Sequence, residues 1–241
     1  MDVHRDFCEI AIAEPDGRVP SAGRINSRLE ELEWFAGSLA ADDVVALEAT
    51  DGAGLIAEII EPLVAAVVVA NTRKLPQISK AKAKTDRLDA RTLARLAASG
   101  FLETVWAPDE RTRALRRLCA RREALVRART RAKNEAHAVP ARNLCGRPPV
   151  TDCFGRQGRA WLAELRLPVD ERLTLDGCLR QIDFLDSEIR TLEAALATQA
   201  LGSPQILRLM TVPGVNLQTA AAFMASVGDI CRFASARQLV G

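Results

Sequence analysis

The sequence has no long apolar run and little of the residue chemistry that builds disulfide frameworks or zinc sites. No stretch reaches the roughly 18 consecutive apolar residues that a membrane-spanning helix needs, and the N-terminus lacks the layout of a signal peptide. The six cysteines form no Cys-x-x-Cys pair, and the two histidines, His4 and His137, add no metal-ligand spacing. We therefore predict a cytoplasmic protein with reduced thiols, and neither a membrane protein nor a zinc protein.

A glycine-rich phosphate loop is also missing after the first predicted strand, where His4-Arg5-Asp6 stands instead. This absence makes an actin-like ATPase a weak alternative, although that class would share the α/β core inferred below. Hydrophobic residues make up 48% of the 241 positions. The chain can therefore bury a real core in one or two domains.

Charge is distributed unevenly along the chain, although the net charge is only +2. Residues 1–70 carry 4 Lys or Arg against 14 Asp or Glu, whereas residues 71–133 carry 18 against 6. The remaining residues carry 11 of each sign. An acidic first segment followed by a basic one suits a protein that holds cations in one place and phosphates in another.

The stretch from Lys84 to Ala90, Lys-Thr-Asp-Arg-Leu-Asp-Ala, leads from a basic loop into a predicted amphipathic helix. Asp86 and Asp89 are three residues apart, so on a helix their side chains share one face, with Cβ atoms about 5–6 Å apart. Two carboxylates that close repel each other unless a cation lies between them or one takes up a proton. The alternative is that both acids simply favour the helix N-terminus, by about 0.3–1 kcal/mol. The stretch alone does not decide between these interpretations.

The first hundred residues alternate between strand and helix patterns. Strands are predicted at 1–3, 7–13, 18–25, 43–48 and 66–70, and helices at 27–39, 55–63 and 88–98. The first of these helices has a capping-box pattern at Ser27 and Glu30. Three antiparallel strands followed by α/β crossovers are the layout of an RNase H-like domain.

That layout would bring four acids to one place: Asp2, Glu48, Asp86 and Asp89. Hard oxygen ligands select Mg²⁺ or Mn²⁺ over zinc. Such ions activate a nucleophile and stabilise the leaving oxygen at a phosphodiester. The placement of the whole set, rather than any single residue, carries the prediction.

The later part of the chain reads as helical. Residues 111–133 hold ten Arg or Lys against one acid, which favours phosphate binding over a solvated face and confers no sequence specificity. An irregular connector is predicted over 140–168. An apolar seam then follows, suited either to a coiled-coil hairpin with the basic helix or to a dimer contact, at Leu179, Ile182, Leu185, Ile189, Leu192 and Leu196. The Pro213-Gly214 pair indicates either a phosphate-binding hairpin between helices or a plain helical hairpin.

Four segments in this order resemble the DEDD transposases of bacterial insertion sequences: Asp2-Val3-His4-Arg5-Asp6, Leu47-Glu48-Ala49-Thr50, Lys84-Thr85-Asp86-Arg87-Leu88-Asp89-Ala90 and Thr211-Val212-Pro213-Gly214-Val215. Their order and spacing match along essentially the whole chain. The resemblance implies an α/β RNase H-like (RuvC-type) N-terminal domain, an α-helical coiled-coil region and the start of a helical, helix-hairpin-helix-like C-terminal domain. We assign these to residues 1–105, 106–200 and 201–241.

The resemblance also implies a transposase that cleaves and exchanges DNA strands, directed by a structured bridge RNA through a Holliday-junction-like intermediate. The four acids match the family's metal-binding positions, with Mg²⁺ or Mn²⁺ as the cofactor. The implied setting is the nucleoid of a bacterial cytoplasm, with DNA, a guide RNA and a homodimer or tetramer through the coiled coil as partners. The residues expected to contact nucleic acid are Lys84, Arg87, Arg116, Arg117, Arg121, Arg122, Arg127, Arg129, Arg131, Lys133 and Gly214.

Two departures from the family pattern shape the expectation further. Only Met1 precedes Asp2, where family members usually have a few apolar residues. The family's nucleophilic serine lies beyond the last residue of this sequence, and neither Ser226 nor Ser235 matches it. We therefore expect a truncated copy that keeps the metal site and lacks the nucleophile. The alternatives are a junction resolvase that uses water as its nucleophile, and a non-catalytic nucleic-acid-binding remnant.

Overall fold

The computed structural model describes residues 1–71 and 85–240, and the chain divides into two units, Met1–Glu110 and Arg111–Gly241. The first unit alternates strands with helices, and the second is helical. This order confirms the prediction of a mixed α/β N-terminal region followed by a helical region. Within the described ranges, none of the helices has the length and apolar character needed to cross a membrane.

The first unit contains six short strands and the helices between them, as far as the chain is described. The strands are β1 (Asp2–Val3), β2 (Phe7–Ala11), β3 (Ser21–Asn26), β4 (Val44–Glu48), β5 (Ala66–Ala70) and β6 (Thr104–Val105). The helices are α1 (Leu29–Gly37), α2 (Ala53–Ile60) with a 3-10 turn after it (Glu61–Leu63), and α3 (Asp86–Ala98). Each predicted strand and helix of this part is present within a few residues, whereas β6 has no counterpart among the predictions.

Hydrogen bonds at Met1 join two three-stranded ladders side by side. β1, β2 and β3 are antiparallel neighbours, β4 and β5 are parallel, and β6 is antiparallel to β5. The Met1 nitrogen donates to the Ala46 carbonyl at 2.6 Å, and the Glu48 amide donates to the Met1 carbonyl at 3.2 Å. This is the slanted pattern of a parallel pair, with Met1 opposite Leu47. The strands therefore lie in the order β3-β2-β1-β4-β5-β6.

Alternation along the strands separates an apolar face from a face that carries charges. On the first face, strand residues pack with α1 and α2 in a core that includes Val3, Cys8, Ile10, Leu47, Leu32, Ala36, Ile56 and Ile60. On the second face, Ala46 and Ala70 pack against Leu93 of α3, which crosses β1, β2, β3 and β4. Because successive side chains point to opposite faces, the acids of β1, β2 and β4 lie under α3.

The second unit is built on two antiparallel helices of 33 residues each, α4 (Glu110–Arg142) and α6 (Val169–Leu201). Its shorter elements are α5 (Arg156–Glu164), α7 (Pro204–Leu209), α8 (Leu217–Val227), a 3-10 turn (Ile230–Arg232) and α9 (Ala236–Val240). Leu115 shares a core cluster with Leu196, and Leu125 shares one with Leu185. Later residues of α4 therefore pack against earlier residues of α6, so the two helices run antiparallel. The predicted apolar seam of α6 thus packs on α4 of the same chain.

The predicted connector over residues 140–168 is wrong in two places. α4 continues through Pro140 to Arg142, and α5 forms where the Pro and Gly residues had indicated irregular chain. Val139 and Leu162 are buried together in one core cluster with Ile182 of α6. Burial of this cluster outweighs the local turn signals, as tertiary packing often does.

The predicted capping box at Ser27 is also wrong. Arg28 occupies the N-cap position of α1, without a side-chain hydrogen bond to the helix. The Ser27 hydroxyl instead donates to the His4 carbonyl at 2.9 Å. Ser27 therefore fixes the bend between β1 and β2 rather than the start of α1.

A tight turn joins α7 to α8 at the predicted hairpin. The Val215 amide donates to the Val212 carbonyl at 3.0 Å, and Gly214 between them has φ of 86°. Proline followed by a residue with positive φ is the pattern of a type II turn. The Asn216 side chain then caps α8 by accepting from the Thr219 amide at 2.9 Å.

Replacing Gly214 with alanine should destabilise the second unit by about 1–2 kcal/mol, because a Cβ is strained at positive φ. Steric clash adds nothing, since a Cβ there would meet no atom within 4 Å. Gly177→Ala in α6 is the matched control, and it should stabilise by about 0.5–1 kcal/mol because helical glycine is unfavourable. Urea unfolding followed by circular dichroism measures both, and equal effects of the two variants would contradict the assigned turn.

Candidate metal centre and basic helix

Four charged side chains form a row across the α3 face of the sheet. In the antiparallel registers of β1, β2 and β3, Asp2 is opposite Glu9, and Glu9 is opposite Arg24. The parallel rung between β1 and β4 places Glu48 beside Asp2. Directly opposed residues of a sheet project to the same face, so three carboxylates and one guanidinium lie side by side.

The first turn of α3 brings two further carboxylates to this row. Thr85 caps the helix, because its hydroxyl accepts from the Leu88 amide at 3.3 Å. Asp86 points towards the sheet instead: Oδ1 lies 3.5 Å from Nε2 of His4, and Oδ2 lies 3.2 Å from the Arg24 guanidinium. Because Thr85 caps the helix, the Asp86 side chain is not needed as a cap and can face the site.

Asp2 is the most deeply buried acid of the predicted set. Only 6% of its side chain is exposed. Burial, a hydrogen bond with Glu48 and the charge of Glu48 together raise the pKa of Asp2 from an ordinary 3.8 to about 7, and His4 partly offsets this. Burial and the neighbouring carboxylate both disfavour the charged form of Asp2, whereas a nearby cation would favour it.

His4 belongs to this cluster, although the spacing of the two histidines in the sequence predicted no metal ligand. Its Nε2 lies 3.1 Å from Oδ2 of Asp2 as well as within reach of Asp86. Residues two apart on an extended chain share a side, and this spacing between Asp2 and His4 was the signal that could have found it. The imidazole therefore bridges two carboxylates that belong to different elements.

The donor set fits a divalent cation. One ligand atom from each of Asp2, His4 and Asp86 lies within 4.8 Å of the others, and Glu48 is hydrogen-bonded to Asp2. Carboxylate oxygens are the ligands that Mg²⁺ and Mn²⁺ prefer, and imidazole is accepted by several transition metals. A cation here would favour the charged form of Asp2.

The predicted acids are thus brought together in part. The structure places Asp2, Glu48 and Asp86 at one point of the α3 face. Asp89 lies half-buried on α3, three residues after Asp86 and on the same side of the helix. Their assignment as metal ligands stays a prediction.

Comparison with known proteins identifies the family. The family model for transposases designated DEDD_Tnp_IS110 matches residues 1–139, which is more than half of the chain. The model for the transposases of the IS116/IS110/IS902 family matches residues 207–241. The chain belongs to the IS110 family of DEDD transposases. The first match contains all four predicted acids, and the second contains the turn at Gly214.

A curated relative of this IS110-family chain comes from Sinorhizobium fredii and is named "Putative transposase y4qE". The two are 30% identical over 167 residues. The matched region covers 69% of the present chain, which spans 40% of the length of the relative.

The seven arginines of α4 that are predicted to contact nucleic acid divide into an inward and an outward set in this IS110-family chain. The inward set binds protein: Arg122 pairs with Glu193 of α6 at 2.6 Å, and Arg129 pairs with Asp186 at 2.6 Å. Arg116 donates to the Ala225 carbonyl at 2.6 Å, near the end of α8. These three predicted nucleic-acid contacts therefore have a place in the structure of the unit itself.

An outward set of four arginines is exposed along the same helix: Arg117, Arg121, Arg127 and Arg131. At 100° per residue, their spacings of four, six and four keep them within about a third of the helix circumference. Arg127 also pairs with Glu123 at 2.7 Å, one turn away on the surface. An exposed strip of this kind is suited to a row of phosphates.

The remaining predicted contacts are scattered. The Arg87 guanidinium lies 3.8 Å from Glu9, next to the acid cluster. Lys133 lies over the Phe154 ring, 5.0 Å from its centroid. Gly214 forms the α7–α8 turn, and Lys84 lies outside the described residues.

Proposed function

We propose that this chain carries the metal-dependent DNA-cleaving centre of an IS110-family recombinase. One observation carries the proposal: carboxylates from β1, β4 and the first turn of α3 meet at one point on the α3 face of the sheet. Elements that are far apart in sequence supply them, so local helix or strand propensity does not account for the meeting. Membership of a DEDD transposase family gives the point its expected chemistry.

The strand order supports an RNase H-like, RuvC-type assignment for the first unit. Three antiparallel strands are followed by a parallel pair, with β1 at the centre next to β4. Helix α3 then crosses the face on which the acids lie. The packing of α4 on α6 similarly supports an antiparallel coiled coil, in which we propose that α6 holds the basic helix α4 in place.

The chain's own residues prepare the centre in distinct ways. Asp2 and Glu48 present oxygens from adjoining strands, and Asp86 presents Oδ1 from above. The His4 imidazole lies between Asp2 and Asp86 and can hold or move a proton there. When bound, Mg²⁺ or Mn²⁺ would activate a nucleophile and stabilise the leaving oxygen of a phosphodiester.

The outward arginines of α4 are proposed to bind the backbones of DNA and of a structured guide RNA. Their side chains are exposed on one side of α4, where the phosphates of a nucleic acid can reach them. Such contacts position a nucleic acid and do not read its sequence. We also propose a homodimer or tetramer, which would use surfaces other than the α6 seam because that seam packs on α4.

The proposal is tested by incubating the purified chain with a four-way DNA junction and Mn²⁺. Nicking by the unaltered chain, with water as the nucleophile, and its loss in Asp86→Asn are the expected results. Nicking retained by Asp86→Asn would contradict the assigned centre. Tight DNA binding without nicking, in a chain that binds Mn²⁺, would favour the non-catalytic remnant.

A further inference from the structure

The side chain of Arg24 links the acid cluster to a carboxylate that the four-acid pattern does not include. Its Nε lies 2.5 Å from Oε2 of Glu9, and a terminal nitrogen lies 3.2 Å from Oδ2 of Asp86. The guanidinium also lies over the Phe7 ring, with its central carbon 4.1 Å from the ring centroid. Arg24 is therefore held at three points while part of it stays exposed.

Glu9 is an unusual anchor because it is a carboxylate with only 3% of its side chain exposed. Its oxygens are engaged by Arg24, by the Ser21 hydroxyl at 3.4 Å and by Arg87 at 3.8 Å. A buried charge of this kind is strongly unfavourable without partners. Glu9 is thus neutralised by Arg24, and this arginine partner distinguishes it from the neighbouring Asp2.

The two oxygens of Asp86 face different partners. Oδ1 faces His4, whereas Oδ2 accepts a hydrogen bond from Arg24. Hydrogen bonds to the outer oxygen of a ligating carboxylate fix its orientation, and loss of such a partner typically weakens metal affinity by about 10–100-fold. A lysine cannot replace arginine in this arrangement, because one ammonium lacks the planar fork that reaches two carboxylates.

We propose that Arg24, anchored by the buried Glu9, is a positioning residue that turns Oδ1 of Asp86 towards the metal centre. This inference rests on the proposed function, because it assigns a role towards the same centre. In this role Arg24 acts through Asp86. The Glu9–Arg24 pair thus supports Asp86 of α3, whereas Glu48 of β4 lies beside Asp2 on the other side of β1.

The test is Mn²⁺ affinity by isothermal titration calorimetry, measured on Arg24→Gln, Arg24→Lys and the control Arg18→Gln. Arg18 lies in the same hairpin and pairs with its neighbours Glu14 and Asp16, so its replacement by glutamine removes the same charge. Arg24→Gln should bind Mn²⁺ about 10–100-fold more weakly than Arg18→Gln. Arg24→Lys keeps a cation beside Glu9 and should keep its melting temperature, yet still lose affinity.

A coupling measurement separates positioning from general destabilisation. In the Asp86→Asn background, Arg24→Gln should cause no further loss of Mn²⁺ affinity, because the carboxylate it orients is already gone. Affinity of Arg24→Gln equal to or tighter than that of Arg18→Gln would overturn the role of Arg24 alone. Absence of Mn²⁺ binding by the unaltered, folded chain would overturn the proposed centre and this role together.

Discussion

Asp2→Asn is expected to abolish stabilisation by Mn²⁺ while making the metal-free protein more stable at neutral pH. Asparagine keeps the shape of the side chain, can accept from His4 and can donate to Glu48, and it removes a buried negative charge. Removing that charge should raise the free energy of unfolding by about 1 kcal/mol. A cation present at 100 times its dissociation constant stabilises a folded protein by about 2.7 kcal/mol, and the variant should lose this gain.

The advantage of Asp2→Asn in EDTA should grow with pH. The pKa of Asp2 is raised from 3.8 to about 7 in the folded protein, so the folded state binds more protons than the unfolded state between these values. The unaltered protein therefore loses stability as pH rises through this window, and the variant does not. Thermal unfolding at pH 5 and pH 8 measures the difference.

Asp42→Asn is the control for both measurements, because Asp42 is an exposed acid of the same unit. It should keep the Mn²⁺ response and show no gain in EDTA. An Asp2→Asn variant that is stabilised by Mn²⁺ as much as the parent would exclude Asp2 from the metal centre. If Asp2→Asn were less stable than the parent in EDTA at pH 8, the charge of Asp2 would not destabilise the metal-free protein.

The triple variant Arg117→Gln, Arg121→Gln, Arg131→Gln should lose most of the nucleic-acid affinity of the chain. Affinity falls as salt rises, and each phosphate contact that is lost makes the slope of log affinity against log salt shallower by about 0.7–0.9. The loss of three contacts should therefore make it shallower by about 2–3. At low salt the affinity should fall by at least 10-fold. Fluorescence anisotropy with labelled DNA and RNA over a series of salt concentrations measures both quantities.

The matched control for the triple variant is Arg122→Gln with Arg129→Gln on the same helix. These arginines pair with Glu193 and Asp186 of α6, so their loss should lower the melting temperature and leave the salt slope nearly unchanged. If the salt slope became shallower in the inward double variant and not in the outward triple variant, nucleic acid would bind the inward face of α4, and the proposal would be contradicted.

Much of the first unit could be predicted from the sequence because its signals are local and periodic. Alternating strands, apolar helix faces and turn residues gave the order of elements through Ala98. The convergence of Asp2 and Asp86 also followed, because strand order determines which ends become neighbours. The second unit was less predictable, since the helix Arg156–Glu164 is stabilised by burying Leu162 against two longer helices.

The support around the acids could not be predicted in the same way. Glu9 and Arg24 are recognisable as partners only when the register of β2 and β3 is known, and register depends on turn geometry and packing. His4 sits in a segment that was interpreted as a bend, so its side chain had no assigned direction. The two sets of arginines on α4 likewise become distinct only once α6 supplies Glu193 and Asp186 as partners.

Residues from three distant segments are proposed to form one metal centre, and calorimetric titration with Mn²⁺ is the most direct test of this. We expect saturable binding by the unaltered chain, with affinity at least 10-fold weaker in Glu48→Gln and in Asp86→Asn but unchanged in Asp42→Asn. Loss in both variants would join β4 and α3 in a single site. No binding to the folded, unaltered chain, or equal affinity in all four proteins, would contradict the claim.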